Sequence, residues 1–206
     1  MTNFENGAAH STHGEAADTA RVRGYWIAQA AEFLRHHFQT DVRQRLEDSF
    51  STALTSALGG HSLGDWVRRE HLVELLRISA EARAPGTDAF ADLAACGAFI
   101  EHRAGNRFTE LLMKIMTPEL FVQKLPQFWQ RDHGRFGRCV VEEVAPGRGR
   151  FRLQDVAEFT HIGPVWLGWV RAGLGTLRAE SLNIRQSGWT MAAPSPARIE
   201  FEVSWS

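Results

Sequence analysis

Gly60-His61-Ser62-Leu63-Gly64 is the sharpest chemical string in this sequence, a G-x-S-x-G pentapeptide. Such a string forms a nucleophile elbow when a strained strand-to-helix turn lifts the serine hydroxyl above a parallel sheet. The residues before it, Leu46 to Leu58, repeat with helical period, and no earlier strand is available to build that sheet. The better reading is a helix stop at Gly59-Gly60, with Ser62 capping the next helix. A serine hydrolase at Ser62 is therefore the weakest of three functional readings.

Nine histidines invite a search for metal ligands. His10 with His13, and His36 with His37, lack carboxylate or cysteine company at ligand spacing. His71 with Glu74, and Glu158 with His161, are i, i+3 pairs on one helical face. A carboxylate-bridged di-iron site needs two such pairs and further glutamates on facing helices. No zinc-peptidase string and no paired-cysteine motif occurs. No metal ligand is assigned. A haem needs only one helical histidine, so His102 and His133 are the candidates for a haem-type gas or redox sensor.

Gly173 and Gly175 stand at dinucleotide-loop spacing, but the third glycine and the preceding strand are missing. Glycines 163, 168, 173 and 175 instead let a helix lie close to a sheet. Arg131, Arg135, Arg138, Arg148, Arg150 and Arg152 gather around one hairpin, with Phe136 and Phe151 between them. That interleaving resembles a single-strand-binding surface, but Asp132, Glu142 and Glu143 dilute the charge, and a solvated edge is expected. Trp166 and Trp169, three apart, share a helical face. With Phe128 and Trp129 they are the candidate lining of an apolar ligand pocket, or else a bulky core.

The elements that must carry these residues follow from periodicity. Residues 1–19 hold acids without bases and read as a disordered tail. Tyr25, Ile27, Ala28, Ala31, Leu34 and Phe38 mark a first helix; Val42 to Leu58 marks a second; 67–83 and 88–102 mark two more. Short helices over 107–116 and 118–129 are split by Thr117-Pro118, a cap followed by a first-turn proline. Beyond Gly134 the period becomes two. Arg138–Val144 and Arg150–Gln154 form a hairpin, Ile162–Arg178 a helix, and Ser181–Trp189 with Arg198–Trp205 a second strand pair. Helices first and antiparallel strands last indicate one α+β domain over 20–206. Its expected architecture is four to six helices, then a four-stranded antiparallel sheet with a crossing helix.

At 206 residues the chain can bury a core without metal or disulfide support. A net charge of −1 gives no overall basic excess for nucleic acid or acidic membrane. Two cysteines, Cys96 and Cys139, read as reduced and cytoplasmic. The first twenty residues carry no Lys, Arg or apolar run, so no leader is expected, and no run of apolar residues predicts membrane insertion.

The ordered set Gly24–Phe38, Leu111–Trp129 (with Pro118-Glu-Leu-Phe-Val-Gln-Lys-Leu-Pro126), His133-Gly134, Ile162-Gly163 and Glu200–Trp205 resembles a bacterial family of unassigned function, expanded as paralogues in myxobacteria. That family is similar in layout to the H-NOX haem domains, the vinyl-reductase-type domains and the TRAPP subunits. The resemblance implies an H-NOX/TRAPP-like fold. The H-NOX Tyr-x-Ser-x-Arg string for haem propionates is missing, as is the late cysteine cluster of the vinyl-reductase-type domains, so neither haem nor metal residues carry over. The expected function is a non-enzymatic sensory or adaptor domain. It would bind an apolar small molecule at Trp166, Trp169, Phe128 and Trp129, pair with itself as a homodimer, or engage a protein partner.

Overall fold

The structure is a computed structural model, and it describes residues 20–81, 88–104, 115–156, 159, 161–177, 179–187 and 198–206. The tail over 1–19, most of the helix expected over 107–116, and His10, His13, Glu158 and Trp189 lie outside them.

The helices come first: α1 (Gly24–His37), α2 (Thr40–Asp48), α3 (Thr52–Gly60), α4 (Arg69–Glu81), α5 (Ala89–Ala104) and α6 (Pro118–Asp132). The single helix expected over 42–58 is broken at Ser49–Ser51. Ser51 there caps α3 by accepting from Leu54 N at 3.1 Å, and its own N–H and hydroxyl donate to Glu74 at 2.7 and 2.8 Å. Thr117 caps α6 through Leu120 N, with Pro118 in the first turn, as the sequence indicates.

A four-stranded antiparallel sheet follows, in the order β4 (Arg138–Ala145), β5 (Arg148–Gln154), β7 (Arg198–Ser204), β6 (Asn183–Ser187). In β7 burial alternates residue by residue, so Ile199, Phe201 and Val203 face the core while Glu200 and Glu202 face out. Phe151 and Phe201 stack across the β5–β7 pair at 4.8 Å. The fold class is the α+β layout expected.

Between sheet and helices runs α7 (Ile162–Thr176), buried on nearly all sides, which is why it reads as apolar without a polar stripe. Its glycines serve helix–helix contact more than sheet contact. A Cβ on Gly168 would fall on the Ala94 carbonyl of α5, and one on Gly97 of α5 would fall on the Val165 carbonyl. The two backbones therefore touch.

A second, three-stranded sheet is absent from the sequence-based expectation. β1 (Arg21–Arg23) pairs antiparallel with β2 (Trp66–Arg68) and with β3 (His133–Gly134). It ties the start of α1, the start of α4 and the end of α6 together. Residues 66–68, of which 67 and 68 are expected inside a helix, belong to it. Register sets its two faces: Val22 lies opposite Val67 and His133, and all three are buried.

Candidate functional site

The small sheet and three helices deliver one aromatic cluster to the centre of the molecule. Trp26 comes from α1, Trp129 from α6, His133 from β3, and Trp166 and Trp169 from α7. The His133 ring stacks on Trp129 at 4.0 Å and lies 4.8 Å from Trp26 and 6.1 Å from Trp166. Trp166 stacks on Trp169 at 4.8 Å with an interplanar angle of 1°, and meets Trp129 edge-on at 5.1 Å. Phe121 and Phe128 close the far side against Trp169 at 5.9 and 5.7 Å.

The polar atoms of this cluster are unequally satisfied. Trp129 Nε1 donates to the Phe136 carbonyl at 3.0 Å. Both ring nitrogens of His133, and Nε1 of Trp26, of Trp166 and of Trp169, are buried with no hydrogen-bond partner among the described residues. Burial pushes the His133 imidazole down to about 4, so it is neutral at physiological pH. The nearby Asp132 carboxylate opposes that shift and the Arg131 guanidinium adds to it.

One residue earlier the chemistry is complete. Asp132 is buried, accepts from the Tyr25 hydroxyl at 2.6 Å, and takes two bonds from the Arg131 guanidinium at 2.8 Å each. Burial and the Asp132 charge hold the Tyr25 phenol well above its ordinary range.

Of the residues chosen from sequence, Trp166, Trp169, Phe128 and Trp129 are brought together. Trp26 joins them without having been chosen: Ile27, Ala31 and Leu34 of the first helix are buried as expected, but the inward face also takes Trp26, Ala30 and Phe33, while Tyr25 and Ala28 are only partly buried. The spacing Trp26, Ala30, Phe33 carries that signal.

The other candidates disperse. Ser62 caps no helix: it sits in the turn before β2, its N–H donating to Asp65 at 2.8 Å and its oxygen accepting from Gly64 N. It stands on an exposed turn and bonds no histidine among the described residues. His36 and His37 do have carboxylate company, Glu32 at 2.8 Å and Asp92 at 3.1 Å, each a single pair on the surface. No group of three metal-ligating side chains forms among the described residues. Phe136 and Phe151 are buried and cannot interleave with the arginines, so the stacking surface considered for single strands does not exist. The arginines of the large sheet are instead paired: Arg148 with Glu143, Arg150 with Glu142 and Glu143, and Arg152 with Glu142. Cys96 and Cys139 are free and buried, and burial pushes both thiols up to about 12, which leaves them inert.

Among the described residues, neither haem candidate faces a cavity with room for a porphyrin. His102 is 65% exposed on the last turn of α5, beside Glu101 at 3.2 Å. His133 is enclosed by three indoles, which cover it at ring-contact distance. The cavity between α1, α4 and α5, lined by Phe33, Leu34, Leu76, Ser79, Leu93 and Cys96, measures about 10 Å³, room for one water.

No protein-family model matches this sequence, and no curated protein matches it. Solved structures do. The Fe(II) unliganded H-NOX protein of K. algicida aligns with a TM-score of 0.64 at 11% identity, over 89% of this chain and 96% of that one. A mutant of the T. tengcongensis H-NOX gives 0.61 at 10% identity, over 89% and 97%. The S. oneidensis H-NOX protein in its Fe(II)NO ligation state gives 0.62 at 10%, over 89% and 99%. Over most of its length, this chain has the H-NOX fold.

Proposed function

We propose that this chain is a non-enzymatic sensory or adaptor domain on the H-NOX fold, with the buried His133–tryptophan cluster as the element that receives a small molecule. The observation that carries this reading is the concentration of unpartnered polar atoms there. Trp26, His133, Trp166 and Trp169 bring five such atoms into one set of touching rings. Each unsatisfied buried group costs about 1–3 kcal/mol. A mostly apolar molecule with one or two hydrogen-bonding atoms relieves that cost while keeping the rings desolvated. Entry requires a ring to move, so ligand binding and a shift of α6 or α7 are coupled, which is what a sensor needs. The motif-based kinship with the myxobacterial family and a cytoplasmic setting belong to the same proposal.

The second reading is a haem-type gas or redox sensor, favoured by the fold. With His133 as the ligand it requires Trp26 or Trp129 to leave that ring; with His102 it requires no such movement. Native mass spectrometry and a visible spectrum, on protein purified without refolding from haem-replete cells, separate the two. Extra mass without a Soret band supports the small-molecule reading. A Soret band lost in His133→Ala supports haem. A clean apo mass with no absorbance, and no thermal shift from haem or from an indole-sized ligand panel, defeats both and leaves the adaptor role.

A further inference from the structure

The register that sends Val22, Val67 and His133 inward forces Arg21, Arg23, Trp66, Arg68 and Gly134 outward on the small sheet. Arg21 lies directly opposite Arg68, and like charges so placed repel. Arg68 is relieved by Glu70 at 3.3 Å. Arg21 is exposed and has no counter-ion among the described residues. Arg23 is fixed rather than neutralised: it donates to the carbonyls of Gly64 at 2.6 Å and Arg131 at 3.3 Å, and its guanidinium lies 4.0 Å over the Trp66 ring.

Arg135 completes the rim. Its φ is +55°, a left-handed conformation that a side chain adopts only at a cost. Arg21, Trp66, Gly134 and Arg135 line an open depression of about 420 Å³, within the usual range of small-ligand sites. A Cβ on Gly134 would come within 3.0 Å of the Trp66 ring, so glycine there lets the ring lie close over β3 as the floor. The contrast with the large sheet is direct. There, glutamates answer Arg148, Arg150 and Arg152; here, of the outward guanidinium groups of Arg21, Arg23 and Arg68, only that of Arg68 meets a carboxylate among the described residues, Glu70, which Arg69 also engages.

We propose that this outer face is an anion site for a small phosphorylated ligand, its phosphate held by Arg21 and Arg135 above Trp66. Phosphate is the fitting group because each guanidinium fork can grip it through two bonds, and a dianion offsets more than one cation. The proposal stands apart from the role of the buried cluster.

The test titrates pyrophosphate, AMP and adenosine separately into the full chain, reading the Trp66 indole N–H by NMR (assigned with Trp66→Phe) and heat by calorimetry. Pyrophosphate or AMP should shift the Trp66 signal saturably, adenosine should not, and added salt should weaken binding. AMP tighter than pyrophosphate would assign an organic phosphate; the reverse would assign inorganic phosphates. Arg21→Gln and Arg135→Gly should each weaken binding about tenfold or more. The glycine keeps the left-handed φ without strain, so that variant folds. Arg152→Gln on the large sheet should leave binding unchanged. An unshifted Trp66 signal, or equal affinity in Arg21→Gln, Arg135→Gly and Arg152→Gln, would overturn the proposal.

Discussion

Asp132 and His133 are neighbours in sequence, both buried and both polar, yet the protein treats them in opposite ways. Asp132 is held by a phenol and a guanidinium, so its charge is answered on both sides. His133 is held by ring faces, and both its nitrogens are left open. Sitting at the end of α6, Asp132 turns toward Tyr25 and Arg131 at the protein's margin. His133, the first residue of β3, takes the inward register of the small sheet. A one-residue change of direction thus separates a locked structural network from a poorly satisfied centre, and that imbalance is what the proposed ligand reading rests on.

The largest effect that tests this contrast is on the cluster's packing. Trp166→Ala should destabilise the protein by about 3–5 kcal/mol in denaturant unfolding, since the indole is fully buried between Trp26 and Trp169. A loss under about 1 kcal/mol would mean the cluster is already loose.

Next comes pH. His133 titrates near 4 when folded and near its ordinary 6.5 when unfolded, so the unfolded state binds the extra proton first. Stability should be complete above about pH 6.5 and fall by up to about 3 kcal/mol as pH drops to about 4. Comparing wild type with His133→Phe isolates that slope, because the carboxylates titrate in both. At pH of about 8 the phenylalanine variant should be as stable as wild type or more so, having no open nitrogens. If it is instead weaker there, the open nitrogens are not the burden that the contrast requires, and the contrast fails.

Asp132→Ala should cost about 2–3 kcal/mol, because Tyr25 loses its acceptor while the Arg131 guanidinium, half exposed, recovers much of its solvation. Tyr25→Phe, which removes one partner of the same bond, should cost less, and both are read from the same melts. Smallest of all is the large sheet: Glu142→Gln, which loosens pairs with Arg150, Arg152 and Arg198, should change stability by less than about 1 kcal/mol and less still at high salt.

The sequence is most legible where one element's own pattern decides its structure. Strict alternation in Ile199, Phe201, Val203 and Trp205 needs no partner to be read as a strand, and Thr117-Pro118 caps a helix through atoms three residues away. The pocket candidates Trp166 and Trp169 converge because i, i+3 neighbours on a helix must share a face. The break at Ser49–Ser51 is hidden because its stabilising partner, Glu74, lies 23 residues on. The glycines of α7 signal a close approach, but nothing local says whether that approach is to a sheet or to α5.

The α+β class, the four-stranded antiparallel sheet, the apolar central helix and the aromatic surplus were therefore legible from residue order alone, because periodicity and caps are local. The second sheet, built of strands two and three residues long, came from long-range packing, since runs that short carry no period of their own. That sheet's register then turned His133 into the tryptophan cluster and Arg21, Arg23 and Arg68 out to solvent. Both proposed sites rest on pairings between residues more than forty positions apart, which no stretch of the chain encodes alone.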